Sequence, residues 1–242
     1  MGKPEGVSQQ QADVAAEFDR YTAIYSQTVN DSLIVPGLDV DYFTRVKASM
    51  LVEYVGSNLA PASSRDTIDV GCGVGNYHTL LAGKFKSLTG VDVSAESIEK
   101  AKAGHPDVNY QSYGGDRLPF ADASFDVAYA ICVVHHVPVP AWPVFFAEMN
   151  RVLRPGGHAM IFEHNPYNPL TRRVVDRCPF DADAVLLKPG KTKELLTGAG
   201  FANVQARSIL SIPSFGPLSR KLDLALGILP FGAQYLATGV KQ

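Results

Sequence analysis

The sequence predicts an α/β fold in which helices cover both faces of a mostly parallel sheet. From Asp66 onward, short apolar segments alternate with helical stretches, which is the pattern of successive βαβ units. The segment 125–133 is apolar almost throughout, as expected for a strand that is covered on both faces. A glycine-rich turn, Gly71 to Gly75, joins the first strand to the next helix. Together these observations predict one main domain.

The predicted strands are short and are separated by helices. They are expected at 67–70, 87–93, 108–113, 125–133, 158–163, 202–212 and 233–241. The helix after the fourth strand is predicted to stop at Pro155-Gly156-Gly157, because proline cannot continue a helix. Another helix is predicted over 191–199. The apolar segment 218–229 is predicted to pack on the sheet, with a gate for a lipid-like acceptor as the alternative.

The region before the first strand has a different pattern. Residues 1–60 are predicted to form a polar arm and a helical lid, in which Tyr21 and Tyr25 are four residues apart and Pro36-Gly37 interrupts the helices. Residues 61–242 are predicted to form the core, with an insertion at about 164–188. That insertion begins where a parallel sheet presents its ligand crevice, so its polar residues are functional candidates.

The composition excludes several classes of partner. The 242 residues carry 22 Lys and Arg against 24 Asp and Glu, so no excess positive charge favours nucleic acid or an anionic membrane. No segment has the run of about 20 apolar residues that a membrane span needs. The three cysteines are odd in number and scattered, and the N-terminus lacks a signal-peptide pattern. We therefore expect a cytoplasmic protein without a metal site that acts on a small-molecule acceptor.

The glycine turn predicts a nucleoside-like ligand. Backbone N–H groups are exposed at such a turn, and the missing Cβ atoms let a ligand lie against the chain. A dinucleotide site would have the spacing Gly-x-Gly-x-x-Gly, but here the third glycine comes one residue early, at Gly75. Asp69, just before the glycines, would repel a pyrophosphate and suits an ammonium group. Asp92, at the end of the next strand, can accept the hydrogens of both ribose hydroxyls.

Residues 66–165 resemble class I S-adenosylmethionine-dependent methyltransferases of the small-molecule type, with a type 11 methyltransferase domain. The features that carry the resemblance occur in the family's order: Asp69 to Gly75, Asp92, Gly115 to Phe120, Ser124-Phe125-Asp126, His135-His136 and Leu153 to Gly157. The resemblance implies a Rossmann-like, doubly wound, seven-stranded sheet with a reversed last strand. It also implies S-adenosyl-L-methionine as the cofactor.

The resemblance also implies roles for individual residues. Gly71, Gly73 and Gly75 would cradle the methionine and ribose part of the cofactor, and Asp92 with Val93 would bind the ribose end. Asp116 would contact the adenine amino group, with Arg117 and Leu118 beside the ring; capping of the local turn is the alternative for Asp116. Further cofactor-binding candidates are Asp69, Ile131, His136, Tyr21 and Tyr25.

Two histidines are candidate general bases for a hydroxyl acceptor, because an imidazole titrates near neutral pH. His164 ranks first and His136 second, while a purely structural role stays open for His135 and His136. Two rival functions also stay open. One is a non-catalytic S-adenosylmethionine-binding protein, and the other is a nicotinamide-dependent oxidoreductase, against which the glycine spacing argues.

Overall fold

The structure is a computed structural model that describes residues 13, 16, 31, 39–212 and 217–242. Seven strands form one sheet: β1 Asp66–Val70, β2 Ser87–Asp92, β3 Asn109–Ser112, β4 Phe125–Ile131, β5 Leu153–His164, β6 Phe201–Ile209 and β7 Gln234–Lys241. The helices of the described ranges are α1 Val40–Asn58, α2 His78–Leu81, α3 Ala95–Gly104, α4 Trp142–Val152, α5 Pro169–Val175, α6 Pro189–Gly198 and α7 Pro217–Leu226.

The strand order is β3-β2-β1-β4-β5-β7-β6. The first five strands in this order pair in parallel, and β7 is antiparallel to both of its neighbours. The predicted seven-stranded, mostly parallel sheet with a reversed last strand is confirmed. From β1 the chain adds β2 and β3 on one side of the sheet, and it then adds β4 and β5 on the other side. A crevice therefore opens beyond the carboxyl ends of β1 and β4.

Both faces of the sheet are covered, as the apolar fourth strand predicts. Val127, Tyr129 and Ile131 of β4 share one buried cluster with α1, while Ala128 and Ala130 share the other with α4. Side chains alternate between the faces of a strand, so β4 contributes to two cores.

The end of α4 differs from the prediction. The helix stops at Val152, and Leu153 is already extended, with φ -76° and ψ 144°. Leu153 is fully buried and pairs with Phe125 of β4, so strand pairing begins before the Pro-Gly-Gly segment. The expectation that the helix continues to Pro155 is wrong because a tertiary contact ends it earlier.

The lid predicted for residues 1–60 is not confirmed. Most of its residues, including Tyr21 and Tyr25, lie outside the described residues. The helix α1 is described, and its Met50, Leu51 and Val55 are buried in the same cluster as Tyr129 of the sheet. Residues 40–58 therefore belong to the packed core.

The apolar segment near the C-terminus forms α7, as predicted, but several of its apolar side chains are exposed. Ile228, just after the helix, is 89% exposed, and Phe231 is 65% exposed. The helix is held instead by buried Asp223, whose carboxylate accepts the N–H groups of residues 210–212. None of the helices in the described ranges has the length and apolar character needed to cross a bilayer.

Candidate active site

A cavity opens at the crevice between β1 and β4, where the topology predicts a ligand site. Its walls come mainly from the segments that follow four neighbouring strands, β1 to β4. They include Asp69, Gly71, Cys72, Gly73, Val74, Asn76, Tyr77, Asp92, Val93, Ser97, Tyr113, Gly115, Ile131, Cys132, Val133, His136, Val137, Pro138 and Phe145. The structure thus brings together seven of the predicted site residues: Asp69, Gly71, Gly73, Asp92, Val93, Ile131 and His136.

Asp92 is a buried carboxylate at the cavity wall. One oxygen accepts the Gly73 N–H at 2.8 Å and the other accepts the Ser94 N–H at 2.9 Å, so the carboxylate is held in one orientation. Burial raises the pKa of Asp92 to about 6, against these backbone N–H groups, which lower it. Within the described ranges no lysine or arginine forms an ion pair with Asp92. The carboxylate is available to accept hydroxyl hydrogens of a ligand.

The three glycines of the turn have positive φ angles and serve different purposes. Gly71 has φ +83°, and a Cβ on it would lie 2.5 Å from the Val133 side chain. A Cβ on Gly73 would meet nothing within 4 Å, so this residue borders open space. Gly75 does not line the cavity. A Cβ there would lie 2.7 Å from the Tyr110 hydroxyl, so packing explains this glycine.

Asp69 lines the cavity, but its carboxylate also has a protein partner. The His78 Nε2 atom lies 3.0 Å from Asp69 Oδ2, and His78 Nδ1 lies 2.5 Å from the Tyr110 hydroxyl. His78 is fully buried. This Asp69–His78–Tyr110 chain fixes the strand end below the glycine turn. Sequence reasoning missed His78 and Tyr110, because neither belongs to the glycine motif.

The structure does not bring the predicted adenine-contacting residues into the cavity wall. Asp116 and Arg117 are exposed, and the Asp116 carboxylate accepts the Arg117 N–H at 2.8 Å, which is the capping alternative. Leu118 is 2% exposed and belongs to a hydrophobic core cluster, so its side chain is a packing residue. Gly115, directly before them, does line the cavity. An adenine contact by Asp116 stays a prediction.

Four polar side chains form a linked group beside the cavity, here called the histidine cluster: His135, His136, Glu163 and Asp181. His135 Nδ1 lies 2.5 Å from a Glu163 oxygen, and the other Glu163 oxygen accepts the N–H groups of Val133 and Val134. Asp181 Oδ1 lies 3.3 Å from His136 Nε2 and 3.6 Å from His135 Nε2. His136 lines the cavity, while His135 and Asp181 lie behind it.

The charges of the histidine cluster are set by burial and by its neighbours. Burial lowers the pKa of His135, but Glu163 and Asp181 outweigh it and raise that pKa well above its ordinary value. Burial and the charge of His135 lower the pKa of His136 to about 4. Near neutral pH His136 is therefore uncharged. Glu163 and Asp181 were not among the predicted site residues, although they lie at the start of the predicted insertion and within it, where polar residues are functional candidates.

His164, the first-ranked general base, does not line the cavity. It ends β5, and its Nδ1 atom lies 3.5 Å from Gln234 Nε2. Its ring centroid is 5.0 Å from that of His135. The structure thus places His136, and not His164, at the cavity surface.

Cys132 lies at the cavity wall with a buried lysine next to it. Lys47 Nζ and Gln234 Nε2 each lie 3.6 Å from the Cys132 sulfur. Burial alone would raise the pKa of this thiol, but Lys47 and His164 outweigh it and lower the pKa to about 7. Cys72 lines the same cavity, but its pKa is shifted in the opposite direction. Burial and the carboxylates of Asp69 and Asp92 raise it well above the ordinary value.

We expect the two cavity cysteines to differ in reactivity. Iodoacetamide at neutral pH should label Cys132 and leave Cys72 unmodified, because the thiolate is the nucleophile. Lys47→Met should slow the labelling of Cys132 about tenfold, since the thiolate fraction falls when the cation is removed. Rates are measured by peptide mass spectrometry. Equal rates for the two cysteines, or no change in Lys47→Met, would contradict this assignment.

Comparison with known proteins identifies the family. Residues 68–161 match the family described as methyltransferase domain. The O-methyltransferase rstn1 of Aspergillus nomiae is 31% identical over 161 residues, which are 62% of this chain and 70% of that protein. The chain belongs to the class I S-adenosylmethionine-dependent methyltransferases. The cofactor of this family is S-adenosylmethionine.

One further curated relative and one solved structure show how much of this methyltransferase matches known proteins. The O-methyltransferase resE of Aspergillus sclerotiorum is 32% identical over 160 residues, 62% of this chain and 60% of that protein. The chain spans less than two thirds of the length of the first curated relatives it matches. A Thermotoga maritima methyltransferase, described as a possible histamine N-methyltransferase, superposes with a TM-score of 0.67 at 19% identity, covering 95% of this chain and 100% of that one. This likeness shows the fold.

The cavity of the methyltransferase fits its cofactor. Asp92 presents a fixed, buried carboxylate without a cationic partner in the described part of the chain, which suits a ribose diol. Gly73 leaves the adjoining backbone open, and Ile131 and Val133 supply apolar wall. A polar end and an apolar wall in one cavity match the two characters of a nucleoside.

Proposed function

We propose that this protein transfers the methyl group of S-adenosylmethionine to a hydroxyl oxygen of a small-molecule acceptor, including a glycan or a lipid-linked one. The observation that carries the proposal is His136, an uncharged imidazole at the cavity wall with a carboxylate, Asp181, behind it. The O-methyltransferase names of two relatives support transfer to oxygen.

Asp92 and the backbone of Gly71 and Gly73 would hold the ribose and methionine part of the cofactor. The cofactor supplies a methyl group that is activated by its positively charged sulfur. Because such a transfer is an in-line displacement, the protein contributes chiefly by aligning acceptor and methyl group. Residues at the ends of β1, β2 and β4 line the cavity and would position the cofactor for that alignment.

A hydroxyl acceptor must lose its proton, and His136 is placed to take it. Because burial and His135 lower the pKa of His136 to about 4, its ring is unprotonated near neutral pH and acts as a weak proton acceptor, and the Asp181 oxygen at 3.3 Å offsets part of that lowering. His164 is not among the residues that line the cavity, whereas His136 is. The proposal therefore prefers His136 to His164 as the general base.

The test is methyl transfer from isotope-labelled S-adenosylmethionine to matched acceptor pairs, each a phenol or alcohol and its amine analogue. We expect labelled product only from the hydroxyl compounds. His136→Gln should lower kcat at least tenfold, because it removes a proton acceptor. His158→Gln is the control, since His158 lies in the middle of β5, its Nδ1 atom is 2.9 Å from the Tyr54 hydroxyl, and it does not line the cavity.

Three outcomes would contradict the proposal. Labelled product from the amines alone would assign the enzyme to nitrogen. Cofactor binding without product from any acceptor would favour the non-catalytic alternative. Equal kcat for His136→Gln and wild type would remove His136 from the reaction.

A further inference from the structure

His135, His136 and Asp181 converge although they come from two distant parts of the chain. The two histidines form a single helical turn after β4, and Asp181 lies in a turn of the insertion after β5. Each contributes one ligand atom, and these atoms all lie within 4.8 Å of one another. Two imidazole nitrogens and a carboxylate oxygen are a donor set that divalent transition metals prefer.

The spacing of the three atoms suits an ion better than it suits hydrogen bonds alone. The 3.6 Å separation between His135 Nε2 and Asp181 Oδ1 is too long for a hydrogen bond. An ion about 2.1 Å from each ligand atom would subtend the 3.3 Å and 3.6 Å separations at angles of about 104° and 118°. Both angles are close to the tetrahedral value.

Glu163 holds His135 in the orientation that a metal ligand needs. Its carboxylate lies 2.5 Å from His135 Nδ1, so the opposite ring atom, Nε2, faces Asp181. Glu163 is itself fixed by the N–H groups of Val133 and Val134. Histidine ligands of metals commonly donate their second N–H group to a carboxylate in this way.

The charge balance also favours a divalent ion. Asp181 is 8% exposed and Glu163 is 1% exposed, so two carboxylates lie in a largely buried region. Among the residues that the structure describes, their ion-pair partners are histidines only. A divalent ion at this point would balance both carboxylates.

We propose that His135, His136 and Asp181 bind a divalent transition-metal ion, with Zn²⁺ as the best match, in a tetrahedral site at the wall of the cofactor cavity. Three protein ligands leave one position for water or for an acceptor oxygen. The consequence for catalysis rests on the proposed function. A hydroxyl bound to such an ion would lose its proton more readily, so in the metal-bound protein His136 would assist deprotonation as a ligand of the ion, and His136→Gln would still lower activity.

The binding test uses the full-length protein stripped with a chelator and then titrated with Zn²⁺ by calorimetry, without cofactor or acceptor. We expect one equivalent to bind, and Asp181→Asn and His136→Gln each to weaken binding at least 100-fold. Asp183→Asn is the matched control, because Asp183 is two residues away and exposed. Co²⁺ in the same site should give the intense visible absorption of a tetrahedral complex.

Several results would overturn the site. These are no Zn²⁺ binding by the wild type, equal binding by Asp181→Asn and Asp183→Asn, or a Co²⁺ spectrum typical of six-coordination. Circular dichroism shows whether each variant is folded. If Asp181→Asn does not fold, His136→Gln serves as the test variant in its place. Methyl transfer measured with and without the ion separates the proposals. Zn²⁺ binding without any transfer would contradict the proposed function alone, and transfer without Zn²⁺ binding would contradict the metal site alone.

Discussion

Replacing Asp92 by asparagine should weaken the binding of S-adenosylmethionine about 100-fold, because hydrogen bonds to a charged acceptor contribute about 1.5–3 kcal/mol each. An amide of the same size keeps the packing but loses the charge and one of the two acceptor atoms. In the structure, these two oxygens already take the N–H groups of Gly73 and Ser94, so the variant also loosens the turn. Calorimetry above neutral pH measures the change.

The pH dependence of binding provides an independent check of Asp92. Its pKa is raised to about 6, so the carboxylate is charged above that pH and neutral below it. Wild-type affinity should therefore fall as the pH drops below 6, and Asp92→Asn should show no such fall. Asp107→Asn, in an exposed turn, is the control and should bind as the wild type does. If Asp92→Asn kept the wild-type pH profile, Asp92 would be excluded as the source of the pH dependence.

Replacing Glu163 by alanine should lower the free energy of unfolding by about 3–5 kcal/mol, the usual cost of removing one partner of a buried ion pair. The variant would leave the N–H groups of Val133 and Val134 without their acceptor and His135 without its carboxylate. Denaturant unfolding with a chelator present measures this cost without any contribution from metal.

Glu99→Ala is the control for Glu163→Ala. Glu99 pairs with Lys102 on an exposed helix face, where such pairs contribute about 0–1 kcal/mol. The charged partner His135 lowers the pKa of Glu163 although burial opposes it. The advantage of the wild type over Glu163→Ala should therefore be full above the ordinary glutamate pKa and decrease as the pH falls below it. Equal decreases in the free energy of unfolding for Glu163→Ala and Glu99→Ala would contradict this prediction.

Features with a local physical cause could be predicted from the sequence. The glycine turn follows a strand because only residues without a Cβ tolerate its positive φ angles and close contacts. Ser94 caps the next helix, since its hydroxyl accepts the Ser97 N–H at 2.9 Å, and serine is a residue type that favours this position. Asp92 could be located because the carboxyl ends of neighbouring parallel strands meet at one edge of the sheet.

Features that depend on distant contacts could not be predicted. Gly75 matched a cofactor motif, but its contact with Tyr110 is the reason for a glycine there. His164 and His136 were both plausible bases from their positions after strands, and only the path of the chain places His136 at the cavity wall. The helix α4 ends earlier than predicted, at Val152, because Leu153 pairs with Phe125.

The sequence by itself determined the α/β class and the positions of the glycine turn and of Asp92 at neighbouring strand ends, because alternation, glycine spacing and strand ends are local properties. Only the tertiary structure decided the histidine cluster. Asp181 lies 45 residues after His136 in the chain, and no spacing rule links them. They meet because the insertion after β5 folds back over the end of β4, where Val185 donates its N–H to the His135 carbonyl at 2.9 Å.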